Sequence, residues 1–266
     1  MAGRKSEMTE TAQSSGRLPL VSVVTFSIAT FPVSSLAVAL FVYLPPYLTG
    51  ALNVPLATVG TVWAAVRIAD LFVDPVLGHL MDRTQTPFGR YRVWLAAGTP
   101  VLMLAVFMLF MARHGVSGVY VFVWLFVMYV GISTLQLSQW SWAASLARDY
   151  HERSRVFGVL TATGVAATVA ALLVPATAPS FGFDSNEGVR AVGWFIILLS
   201  PIAVAITFFT TPERINPNVG EQFKLGDYLE IITKPEVLRL FLCEVCVILG
   251  PGWMSALYLF YFRDIL

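Results

Sequence analysis

Apolar positions run along this chain in continuous blocks, separated by short polar breaks. The blocks cover Leu18–Tyr43, Leu56–Met81, Val93–Met111, Val116–Ala144, Val156–Ala178, Arg190–Thr210 and Val237–Phe262. Each is about 20 residues or longer, enough to cross a hydrocarbon core of about 30 Å at a helical rise of about 1.5 Å per residue. The runs are continuous and do not alternate in segments of about ten residues, which predicts helices rather than barrel strands. Turn-forming residues mark the breaks: Pro45-Pro46, Thr84–Gly89, Arg113–Gly115, Ala178–Gly188 and Thr211–Gly226. Seven membrane-spanning helices are expected, and the fold class is an all-α integral membrane protein.

Composition agrees. Hydrophobic residues are 57% of the 266 and charged residues only 12%, about half the charge of an ordinary soluble domain. A net charge of +1 argues against a nucleic-acid partner. Residues 1–16 are polar and expected to be a disordered tail. They do not form a signal peptide, because the apolar run that follows is long enough to span.

Basic residues fall on alternate loops. One side holds Arg4, Lys5, Arg17, Arg83, Arg90, Arg92, Arg148, Arg153, Arg155, Arg214, Lys224, Lys234 and Arg239, which is 13 of the 17. The other side holds Arg113, Arg190 and Arg263, and Arg67 lies within a span. The positive-inside rule then places the N-terminus and the Asp82–Arg92 loop in the cytoplasm; the expected location is the plasma (inner) membrane. Cys243 and Cys246 form a C-x-x-C, but within an apolar span and without partner cysteines they are expected to be two buried free thiols.

The second block breaks the apolar pattern with Arg67, Asp70 and Asp74. An ionised side chain at the centre of a span costs about 2.5–3.5 kcal/mol on insertion scales, so three require compensation. Counting about 1.5 Å per residue from Asp82, Asp74 lies about 12 Å and Asp70 about 18 Å into the bilayer. The i, i+4 spacing puts both carboxylates on one face, and Arg67 shares it. One arginine and two aspartates leave a formal charge of −1, which one proton or one Na⁺ cancels. Carboxylates with nearby hydroxyls make an all-oxygen site suited to a hard cation, and Ser133 and Thr134 on the fourth block are candidate donors. The bland alternative is a buried Arg67–Asp70 ion pair with Asp74 protonated and silent. Aspartyl protease chemistry is not expected, because it needs facing aspartates from two helices and no second motif is present.

The stretch RIADLFVDPVLGHLMDRTQTPFGRYRVWL, with Arg67, Asp70, Asp74-Pro75, Gly78, Asp82-Arg83-Thr84, Thr86, Gly89-Arg90, Arg92 and Trp94, resembles the second helix and following loop of the glycoside–pentoside–hexuronide:cation symporters, the melibiose-permease branch of the major facilitator superfamily. A second block, Gln139–Val156 with Glu152-Arg153, resembles the end of the fourth helix and the loop after it. The resemblance implies a facilitator fold and alternating-access symport of a sugar or glycoside-like solute with Na⁺ or H⁺ as coupling ion. It implies no other cofactor and no enzymatic activity. The expected partners are a small-molecule solute, a monovalent cation and membrane lipid. On this resemblance Asp70 and Asp74 bind the cation with the hydroxyl of Ser133. Asp82, Arg83, Arg90, Arg92 and Arg153 match charged positions that help close the cytoplasmic side, although topology and lipid-headgroup contact account for such arginines as well.

The solute positions depart from the family. Acidic residues on the first and fourth helices and an arginine on the fifth fall here on Ser34, Gln136 and Thr161, none of them charged. Trp140 matches the ring that stacks on the sugar; packing is the plainer role for Trp140 and Trp142. Gln139 and Ser138 add possible hydrogen-bond donors to solute hydroxyls. Small residues at Gly158, Ala162, Ala166 and Ala170 predict close helix approach, and Pro32 and Pro100 predict bends. Glu244 is a further intramembrane carboxylate, facing the solute path or pairing with Arg239. By resemblance, residues 17–211 are the N-terminal six-helix bundle, 212–236 the central cytoplasmic loop, and 237–266 the seventh helix, the first of a second half. The expectation is that the chain is part of a longer symporter. The alternatives are a truncated or non-transporting membrane binding or assembly protein, and a symporter of a non-sugar amphiphile.

Overall fold

The computed structural model describes residues 18–147, 149–182, 184–213 and 233–247, and its secondary structure there is helical throughout. The chain divides into two units, Met1–Ile215 and Asn216–Leu266. In the second, residues 235–247 are helical, and Cys243 and Cys246 are free but exposed, where burial was expected. The apolar side chains of that helix, Leu240 and Val247 among them, are exposed. The tail 1–16, most of the loop 212–236 and the expected seventh span past Val247 lie outside the described residues.

In the first unit, six helices are long and apolar enough to cross a membrane: Thr30–Ala51, Leu56–Arg83, Tyr91–Phe110, Gly118–Leu146, Tyr150–Ser180 and Asn186–Thr210. They are called here the first to sixth spans. A short helix, Leu20–Ser27, leads into the first. The kink between them precedes Pro32: proline has no amide hydrogen for the Ile28 carbonyl, and the Phe31 amide donates to it instead at 3.0 Å. Pro45-Pro46, expected as a break, lies inside the first span. Two π-helical stretches, Ala39–Tyr43 and Tyr47–Ala51, flank the prolines, and their wider turns carry the helix past two residues that lack donors. The chain turns only at Leu52–Pro55, where Asn53 takes a positive φ of 55°.

Two ends of the bundle can be told apart by their bonds. At one, the Leu18 amide donates to Glu152 Oε1 at 2.6 Å and Arg155 Nη1 donates to the Leu18 carbonyl at 3.0 Å. The 82–92 loop and Thr211–Glu213 meet there too. At the other, the Gly115 amide donates to the Leu52 carbonyl at 3.3 Å, and Tyr47 Oη donates to the Phe110 carbonyl at 3.1 Å while accepting from Arg190 Nε at 3.2 Å. The spans therefore alternate in direction.

The third span packs on the fourth and sixth, the second on the fourth, and the first on the fifth and sixth. Glycine makes the tightest crossing possible. A Cβ on Gly131 would lie 3.0 Å from Leu102 Cα, and one on Gly98 2.6 Å from Leu135 Cδ1. On the fifth span the contact stripe is not the expected one. Gly158, Ala162 and Ala166 are exposed, whereas Leu160, Gly164, Ala167 and Ala171 are buried. Gly164 meets Ser34, and Ser35 Oγ donates to the Ala167 carbonyl at 3.2 Å. Small residues occur on several faces of this helix, so their spacing does not select one. Trp142 anchors the core, fully buried and edge-on to Phe26 at 5.2 Å. The second and fifth spans bury least, 17% and 22% of their most apolar stretch against 44% for the other four.

Candidate functional site

The second span carries its charges along the edge where it meets the fourth. Val59, Val62, Val66, Leu77 and Met81 form its buried stripe, and Ile68, Leu71, Phe72 and Val76 point outward. Asp70 and Asp74 fall between these faces. Arg67 Nη1 lies 3.6 Å from Asp70 Oδ2, a long ion pair, and Ser133 Oγ donates to Asp70 Oδ1 at 3.4 Å. The two carboxylates are within electrostatic reach of one another, and Asp74 Oδ1 is buried with no hydrogen-bond partner. An unpartnered buried carboxylate oxygen calls for a proton or a cation. The structure thus gathers Arg67, Asp70 and Ser133, with Asp74 one turn away. Thr134 turns from them, bonding the Val130 carbonyl at 2.7 Å and packing on Gly98.

One turn further along the fourth span, a cleft of about 560 Å³ opens between the first, fourth and fifth spans. Ser34, Gln136, Trp140 and Thr161 all line it. Trp140 is half exposed and presents its ring to the opening. Phe157 and Leu160 supply further apolar wall, and Thr30 and Thr168 further hydroxyls. Thr30 Oγ1 is buried without a partner. None of the lining residues is charged. Gln139 also reaches the cleft, but its amide nitrogen donates to the Phe26 carbonyl at 3.3 Å. Ser138 is withdrawn, its hydroxyl bonding the Thr134 and Leu135 carbonyls of its own helix at 2.7 and 3.0 Å. Ser138 is therefore not the free donor that the sequence suggests, while Gln139 keeps its second N–H beyond this bond.

The loop charges are distributed unevenly. Arg90 Nη1 pairs with Asp82 Oδ1 at 3.3 Å. The Arg92 guanidinium donates to the Thr211 carbonyl and lies 5.6 Å from the ring centroids of both Trp142 and Phe208, a cation–π sandwich inside the bundle. Arg83 is exposed without a bonded partner among the described residues. Arg153 is not brought to this group; its Nη2 donates to the Ala144 carbonyl at 3.3 Å.

Residues 25–266 match the family described as MFS/sugar transport protein. The chain belongs to that family. Among its curated relatives, the glucuronide carrier protein homolog of Escherichia coli is 27% identical over 84% of this chain and 50% of its own length. The lactose permease of Lactobacillus helveticus is 28% identical over 57% of this chain and 26% of its own length. The raffinose carrier protein of Pediococcus pentosaceus is 29% identical over 53% and 23%. The chain thus spans half or less of the length of these relatives. Family membership and six apolar helices make it an integral membrane protein.

Within this helical scaffold, three features escape a reading of the sequence. The Glu213 carboxylate accepts from three consecutive amides at the start of the third span, Arg90 at 2.7 Å, Tyr91 at 2.9 Å and Arg92 at 3.1 Å. A carboxylate is favoured there by the unpaired amides and the helix dipole. Glu152 holds the Leu18 amide. Tyr129 places its ring 4.7 Å from the Arg67 guanidinium. Only a lone acid following a Thr-Pro pair, Thr211-Pro212-Glu213, hints at the first.

Proposed function

We propose that this chain forms the cation-binding and solute-lining bundle of a secondary active transporter, which carries a sugar or glycoside-like solute in symport with Na⁺ or H⁺ by alternating access. The supporting observation is the shared fourth span. Its Ser133 touches Asp70, and Gln136 and Trp140 line the solute cleft three and seven residues further on. A cation that draws Asp70, Asp74 and Ser133 together acts on the helix that walls the cleft, so occupancy of one site biases the other. Arg67 and the two aspartates leave one negative charge for one monovalent cation.

The cleft favours an uncharged solute. It offers hydroxyls, the Gln136 and Gln139 amides and the face of Trp140, a pairing that suits a sugar ring with an apolar face and polar edges. A carboxylate-bearing sugar finds no cation among the lining residues. At the loop end, the Asp82–Arg90 pair and Arg92 keep the second, third, fourth and sixth spans together, on the side proposed to be cytoplasmic in the plasma membrane.

The test is uptake and binding in proteoliposomes holding the full chain, with radiolabelled lactose as neutral probe and a labelled glucuronide as anionic probe. Lactose binding should rise with Na⁺ or with acid, and the glucuronide should compete at least tenfold more weakly. Asp70→Asn and Asp74→Asn should each abolish the cation dependence. Cation-coupled uptake left intact in both variants overturns the assignment. Loss of all glycoside binding in the unaltered chain, with the aspartates removable without effect, supports a binding or assembly role instead.

A further inference from the structure

Arg67 has two partners of different kinds. Its pairing with Asp70 is long, 3.6 Å against about 2.7–2.9 Å for a tight charged contact. The guanidinium also lies over the Tyr129 ring at 4.7 Å and beside Phe41 at 5.7 Å. Tyr129 is 4% exposed, and its hydroxyl is buried with no hydrogen-bond partner. Buried phenols usually find a partner, so the hydroxyl does not explain the placement of this residue. What the residue presents to Arg67 is the ring face. Tyr129 and Ser133 are four apart on the fourth span, so one face of that helix offers a ring to the cation and a hydroxyl to the carboxylate, one turn apart.

An arginine that holds Asp70 fully competes with any coupling cation for the same oxygen atoms. A guanidinium released into hydrocarbon without another partner is expensive. The ring provides the intermediate seat. We propose that Tyr129 is a positioning residue for cation coupling: its ring face draws the Arg67 guanidinium off Asp70, leaving the aspartate pair open to a monovalent cation. The inference rests on the reading of Asp70 and Asp74 as the coupling site. Phe41, from the first span, closes the other side of the seat.

The test titrates the full chain in lipid nanodiscs with NaCl at fixed pH, and with acid in Na⁺-free buffer, following intrinsic tryptophan fluorescence. Tyr129→Leu removes the ring and should weaken the cation response about three- to fivefold, the scale of a cation–π contact to a half-exposed guanidinium. Tyr129→Phe keeps the ring and should stay within about twofold of the unaltered chain. In an Arg67→Ala background, Tyr129→Leu should have no further effect, because nothing is left to hold. The inference is overturned if Tyr129→Leu titrates like the unaltered chain, if Tyr129→Phe is as weak as Tyr129→Leu, or if the leucine effect persists without Arg67. In any of these cases, a cation response that Asp70→Asn still removes leaves the coupling site standing. Absence of any response that the aspartate variants alter overturns both.

Discussion

Glu213 shows how much one side chain can hold. Its two carboxylate oxygens satisfy three amides that a helix start leaves open, and the Gly89 backbone passes it at a positive φ of 112°. A Cβ at Gly89 would lie 2.2 Å from Glu213 Oε2, so only glycine lets the loop come this close. Glu213→Ala should lower stability by about 1.5–3 kcal/mol, the range for a hydrogen bond to a charged group, with Glu213→Gln recovering part of the loss. Thermal unfolding of the detergent-solubilised chain measures both. This contact is illegible in sequence because its partners lie more than 120 residues away. Arg67, Asp70 and Asp74 are legible for the opposite reason. They lie within two turns of one helix, where spacing alone fixes the shared face, and their cost in hydrocarbon singles them out. Tyr129 lies between these cases: an aromatic residue in an apolar span carries no signal until the second and fourth spans are placed side by side.

At the scale of helices, the two glycine environments make opposite predictions. Gly131 has no room for a methyl group against the Leu102 backbone, so Gly131→Ala should force the third and fourth spans apart and cost about 1–3 kcal/mol. Gly158 has nothing within 4 Å of a built Cβ, so Gly158→Ala should be neutral or gain up to about 1 kcal/mol from helix propensity. The same unfolding measurement separates them. The spans themselves are read from hydropathy with small errors at their ends, because length and apolarity decide whether a segment can cross a bilayer. The first span moved most at both ends: it starts at Thr30, after the separate short helix Leu20–Ser27, and runs on to Ala51. Pro45-Pro46 has the composition of a turn, yet the π-helical stretches beside it absorb both prolines. On the fifth span the pattern GVLTATGVAATVAALL places small residues on several faces, so packing partners rather than periodicity choose Gly164 and Ala167.

At the scale of the whole bundle, alternate ends collect different charges, with Arg83, Arg90, Arg92, Arg153 and Arg155 at one and Arg113 and Arg190 at the other. With Cys243 and Cys246 replaced by alanine, Gln85→Cys should react with an impermeant thiol reagent only after cell lysis, and His114→Cys in intact cells. The reverse pattern would invert the proposed orientation. The two clamps at the loop end join residues far apart in the order of synthesis. Leu18 is gripped by Glu152 and Arg155 from the start of the fifth span, and the loop before the third span is gripped by Glu213 at the end of the sixth. A ribosome has made the first and third spans long before it delivers either grip. Each early helix therefore waits in the bilayer without its distant grip, and these two contacts close only when the later-made residues arrive.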